Sequence, residues 1–68
     1  MKLPLLPGRQ VLSALQRMGF AELHRKGSHV KMRHGDGRVI VFPFHAEVDR
    51  FTLRGASINV EEFLNHVR

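Results

Sequence analysis

The stretch Arg25-Lys26-Gly27-Ser28-His29-Val30-Lys31-Met32-Arg33-His34 decides the architecture. From His29 onward polar and apolar residues alternate, as in a strand with one buried and one wet face. Val30 and Met32 point one way, while His29, Lys31 and Arg33 point the other. Gly27 offers a turn before this strand, and His34-Gly35-Asp36-Gly37 supplies the glycine and aspartate chemistry of a hairpin after it. Three strands follow, at residues 20–26, 28–34 and 38–42. The third, Arg38-Val39-Ile40-Val41-Phe42, is apolar on both faces, as expected of a central or well-covered strand, and Pro43 stops it.

Working outward, Val11, Leu12, Ala14, Leu15 and Met18 share one face of a helix over residues 9–18, with Gly19 suited to its C-terminal end. Pro4, Pro7 and Gly8 predict an irregular start. Thr52-Leu53-Arg54 allows a short helix that Gly55 and Ser57 continue poorly. Asn59-Val60-Glu61-Glu62 has the pattern of a capping box, and Val60, Phe63, Leu64 and Val67 form the stripe of a last helix. The expected fold is α+β in the order α-β-β-β-α, a three-stranded antiparallel sheet with its helices on one face.

At 68 residues and 43% hydrophobic content the chain suits one small domain, residues 1–68. Eleven Lys and Arg face six Asp and Glu, a net charge of +5. Residues 1–45 carry the excess, and the remainder is slightly acidic. Nucleic acid or an acidic protein is therefore the expected partner. With no cysteine, disulfides, thiolate metal sites and cysteine nucleophiles are excluded. The opening Met1-Lys2-Leu3-Pro4-Leu5-Leu6-Pro7 is too short and too proline-broken for a signal core or membrane span, so a soluble cytoplasmic protein is the default expectation.

The alternation gathers His29, Lys31 and Arg33 on the solvent face, with Arg25 and Lys26 just across the turn and Gly27-Ser28 open to close approach. Cations binding a phosphate beside an imidazole that moves a proton suit phosphodiester chemistry. The same pattern also describes a solubilising sheet face on which His29 does nothing. His45, just past Pro43, is a second proton-carrier candidate or a loop histidine bonded locally. Histidine spacing offers no metal motif: there is no HxH or HExxH, and His29 and His34 point to opposite faces. Neither a metal nor a cofactor is expected.

Taken in order, Arg17-Met18-Gly19-Phe20, Arg25-Lys26-Gly27-Ser28-His29, His34-Gly35-Asp36-Gly37-Arg38, Val41-Phe42-Pro43-Phe44-His45, Thr52-Leu53-Arg54-Gly55 and Val60-Glu61-Glu62-Phe63 resemble the HicA-type toxins of bacterial toxin–antitoxin pairs. The resemblance implies a fold similar to a double-stranded RNA-binding domain. It also implies mRNA cleavage by the histidine after Gly-Ser, here His29, and a HicB-type antitoxin that blocks it. By this resemblance the chain departs from the family between Thr52-Leu53-Arg54-Gly55 and Ala56-Ser57-Ile58-Asn59, where about one helical turn is missing, and Phe51 stands where glycine is frequent. A loss near the helical period of about 3.6 residues shortens the middle helix while keeping its facing. It threatens packing on the helical side before the His29 face.

The leading expectation is a metal-independent endoribonuclease with His29 as base and Arg25, Lys26, Gly27, Ser28, Lys31 and Arg33 holding RNA. The alternatives are a non-catalytic RNA-binding module and a basic adaptor that docks an acidic protein.

Overall fold

The computed structural model describes residues 5–67. The chain runs β1 (Leu6–Pro7), α1 (Gly8–Arg17), β2 (Phe20–Lys26), β3 (His29–His34), β4 (Val39–Pro43), β5 (Glu47–Val48), α2 (Arg50–Gly55) and α3 (Val60–Asn65). Two tight turns order the main sheet. Gly27, at φ +59°, opens a two-residue turn that leaves Lys26 paired with His29. A positive φ at that first central position is the glycine requirement of a type II′ hairpin. The second loop, Gly35-Asp36-Gly37, is closed by His34 N–H donating to Arg38 O at 2.8 Å and Gly37 N–H donating to His34 O at 2.9 Å. Asp36 locks it, accepting from Arg38 N–H at 3.0 Å and Arg38 Nε at 2.8 Å. The backbone bond from Arg38 holds the Asp36 carboxyl below its ordinary range; desolvation opposes it, and the Arg38 guanidinium reinforces it.

Connections this short make the sheet an antiparallel meander, order β2-β3-β4. The strand apolar on both faces is therefore an edge, and the alternating β3 is central. This corrects the expectation for residues 38–42: Val39 and Val41 lie exposed beside the basic residues of β3, while Ile40 and Phe42 enter the core.

Val30 and Met32 are fully buried, and with Phe42, Val11, Ala14, Leu15 and Phe63 they form the middle of the core. Burying an aliphatic side chain of this size contributes about 1.5–3 kcal/mol. A one-residue slip would send Lys31 inward instead, so the register is strongly specified. α1 packs on β2, α2 on β4, and α3 against both other helices, all on the inner face.

The start of the chain is more ordered than its prolines predict. Leu6 and Pro7 pair with Val48 and Glu47 in a separate two-stranded ribbon, and Gly8 N–H donates to Ala46 O at 2.9 Å. Proline fits because a two-residue strand at an edge has few ladder donors to lose. The expectation for Pro4 falls outside the described residues.

The α2–α3 connection closes over a buried core. Ser57 N–H donates to Arg54 O at 2.9 Å and Ile58 N–H to Leu53 O at 3.0 Å, the paired bonds of a Schellman motif. Ile58 and Leu53, its two hydrophobic positions, are both buried. Ser57 takes the left-handed conformation, φ +59°, that glycine usually fills. Asp49 caps α2 through Thr52 N–H at 3.0 Å, and Asn59 caps α3 through Glu62 N–H at 3.0 Å, as the capping pattern predicts for the latter. Phe51 on α2 stays 65% exposed.

Candidate nucleic-acid interface

The outer face of the sheet carries no helix, and its composition follows from ladder pairing. On β3 it presents His29, Lys31 and Arg33, opposite Lys26, His24 and Ala21 of β2 and Pro43, Val41 and Val39 of β4. His29 is exposed, as the alternation predicts, while Lys31, in the middle of the central strand, is half-buried. His24, Lys26, Gly27, His29, Lys31 and Val41 line one open depression of about 600 Å³. Two histidines and two lysines form its walls, and most of the lining is their carbon atoms together with Val41. Arg33 continues the basic stripe one position beyond, opposite Val39.

Two of the expected residues sit elsewhere. Between Glu22 and His24 the β2–β3 register shifts, because Leu23 is an extra residue without a partner. Such a bulge reverses the side-chain alternation beyond it. With Phe20 and Glu22 opposite His34 and Met32, unbroken alternation would send His24 and Lys26 inward and Arg25 outward. The bulge does the opposite. Arg25 pairs with Val30 on the helix side, bonds Glu22 at 3.0 Å and stacks its guanidinium 4.2 Å from the Phe44 ring centre. The expectation that Arg25 joins the cations around His29 is therefore corrected.

His45 is the second displacement. It lines a different recess, with Pro7, Gly8, Arg9, Phe44, Ala46 and Glu47, and sets its ring edge-on to Phe44 at 5.1 Å. The structure does not bring it into the depression that holds His29. Pro43 turns the chain out of the ladder before His45 can share the outer face.

Ser28 occupies the turn, and its carbonyl accepts from Phe44 N–H, which extends the β3–β4 pairing past the last ladder residue. Gly27 has open space where a side chain would stand. A backbone or phosphate approaching the turn meets no obstruction there.

His24 is the residue that sequence reasoning missed. No sequence signal marks it, because its placement depends on Leu23, which in the structure is 52% exposed and has no ladder partner. Among the described residues no group of three His, Asp or Glu converges in a metal-binding arrangement. None of the described helices is long and apolar enough to cross a membrane.

A family model for the HicA toxin of bacterial toxin–antitoxin systems matches residues 8–59 of the 68. The chain belongs to the HicA toxin family. The match begins at the first residue of α1 and ends at the cap of α3, so it spans the whole sheet, both hairpins and α2. Among curated proteins, no match to the chain is found. Membership of the HicA family implies an antitoxin partner. It does not by itself assign a role to any side chain on the outer face.

Proposed function

We propose that this HicA toxin is a metal-independent endoribonuclease that cleaves mRNA, with His29 as general base. The observation that supports it most directly is the register. Burial of Val30 and Met32 sets His29 in the open, flanked by Lys26 across the ladder and by Lys31 on its own strand. RNA carries its own nucleophile, the 2′-OH, so the protein must deprotonate it, hold the phosphate and let the 5′-oxygen leave. Lys26, Lys31 and Arg33 bind phosphates, Gly27 and Ser28 give the backbone room, and cations stabilise the charge that develops on phosphorus-bound oxygen. A cognate HicB-type antitoxin covers the same face with acidic residues.

The test is cleavage of RNA in EDTA by the wild type and by His29→Ala, with circular dichroism to check the fold. The wild type is expected to leave a 2′,3′-cyclic phosphate and a 5′-OH. His29→Ala should bind RNA and cut about 10²–10⁴-fold more slowly. A folded variant that cuts at the wild-type rate would remove His29 as the base. Wild-type cutting abolished by EDTA would overturn the metal-independent mechanism, and a wild type that binds RNA without cutting it would return the chain to a binding module.

A further inference from the structure

We infer that His24 is the general acid of this site, the group that protonates the departing 5′-oxygen. The inference rests on the ribonuclease reading above and extends it to a second catalytic residue. His24 stands opposite Lys31, and His29 stands opposite Lys26, so the two imidazoles occupy diagonal corners of a four-residue cluster. Both line the same depression with Lys26 and Lys31. Diagonal positions on one sheet face lie roughly 7–8 Å apart. That leaves room for a phosphate between two rings, with each ring within hydrogen-bond reach, about 3 Å, of a different oxygen.

In-line displacement needs such an arrangement. The base stands on the side of the attacking oxygen and the acid on the side of the leaving oxygen. A lysine ammonium holds its proton too tightly at neutral pH to be an efficient acid, whereas imidazole loses and regains one readily. Among the residues lining the depression, His24 and His29 are the ones with that property.

The placement depends on the Leu23 bulge, since regular alternation puts His24 against the core. Bulges recur beside active sites because they re-aim a side chain. Here one extra residue delivers His24 and Lys26 together.

The step balances as follows. His29 takes the proton of the 2′-OH, and O2′ forms a bond to phosphorus. The bond from phosphorus to O5′ breaks, and O5′ keeps the electron pair. Protonated His24 gives its proton to O5′. The products are the cyclic phosphate and a 5′-hydroxyl, with His29 charged and His24 neutral until solvent exchange restores them.

Leaving-group chemistry tests the assignment. An oligoribonucleotide with a mapped cleavage site is made with oxygen or with sulfur at the scissile 5′-bridging position. The sulfur departs as thiolate and needs no proton. His24→Ala should cut the oxygen substrate about 10²–10⁴-fold more slowly than the wild type. It should cut the sulfur substrate at nearly the wild-type rate. Equal losses on both substrates would make His24 a phosphate contact and overturn the inference, as would no loss on the oxygen substrate. His29→Ala, run alongside, should slow both. If it slows neither, His29 as the base fails first and takes the base–acid pairing with it. His24 is exposed on an edge strand, so its removal leaves the core intact, and circular dichroism of the variant checks this.

Discussion

Replacing Lys31 and Arg25 separately by alanine distinguishes the two faces of the sheet through the salt dependence of RNA binding. Three cations, Lys26, Lys31 and Arg33, share the outer face with His29, and Arg25 does not. For single-stranded RNA each neutralised phosphate contributes about −0.7 to the slope of log K against log salt. Three contacts give a slope of about −2.1, an affinity loss of about 20-fold between 50 and 200 mM salt. Lys31→Ala should bring the slope to about −1.4 and the loss to about sevenfold over that interval. Arg25→Ala should leave the slope alone and act on stability. The guanidinium over Phe44 contributes about 0.5–1 kcal/mol, and the half-exposed Glu22 pair adds little. At this chain length that corresponds to a melting-point drop of roughly 2–8 °C. Fluorescence anisotropy of a labelled single-stranded RNA reads the slope, with His29→Ala as the background so that the probe survives. If Arg25→Ala flattens the slope as much as Lys31→Ala does, the side assigned to Arg25 is wrong.

Three further outcomes concern the scaffold. Gly8→Ala should destabilise the fold by about 3 kcal/mol or more, because the new methyl meets the backbone oxygens of Pro43 and Phe44, which cannot swing aside; a melting point within a few degrees of wild type would refute the close approach. Ser57→Gly should raise stability by about 0.5–1 kcal/mol, since Ser57 pays a left-handed penalty that glycine avoids; urea unfolding reads it, and a destabilised variant would refute the Schellman assignment. The Asp36 carboxyl is held below its ordinary range in the folded protein, so its stabilising contribution is present above about pH 4 and is lost as pH falls through the lowered value. Asp36→Asn should therefore lose stability relative to wild type at pH 6 and converge with it at the acid end of a thermal-melt series.

The meander was legible because its punctuation is local. Gly27 and Gly37 each occupy positive φ where the turn needs it, and the alternation of Val30 and Met32 against Lys31 and Arg33 is uninterrupted. Gly19, at φ +104°, likewise ends α1 where its position predicts. What escaped was set by partners distant in the chain. Nothing in Phe20-Ala21-Glu22-Leu23-His24 marks Leu23 as the residue without a ladder partner, because the bulge is a property of the pair of strands. The ribbon of Leu6–Pro7 with Glu47–Val48 joins segments some forty positions apart, and each is too short to carry a periodic signal. His34 was equally hidden. It bridges the α1 terminus and the hairpin, with Nε2 at 3.1 Å from Met18 O and Nδ1 accepting Asp36 N–H at 3.1 Å. With the proton on Nε2 both contacts are satisfied, and a ring edge-on to Phe20 completes its packing.

The two C-terminal helices have six residues each, half or less of the length at which an isolated helix becomes marginal in water, about 12–15 residues. They persist because Leu53, Ile58 and Phe63 reach a surface that α1 and the sheet have already assembled. The expected order of assembly follows: the hairpins and α1 form the template, and the last third of the chain closes over it. Opening runs the other way. Amide protons of α2 and α3 should exchange with solvent before those of β3, and a protease sampling the native state should clip first near Ser57. An opening confined to these helices uncovers Phe42 and Val30 from behind while the basic stripe in front keeps its spacing. For a small toxin, proteolysis of the native state is therefore expected to begin at the rear of the molecule, away from the basic face.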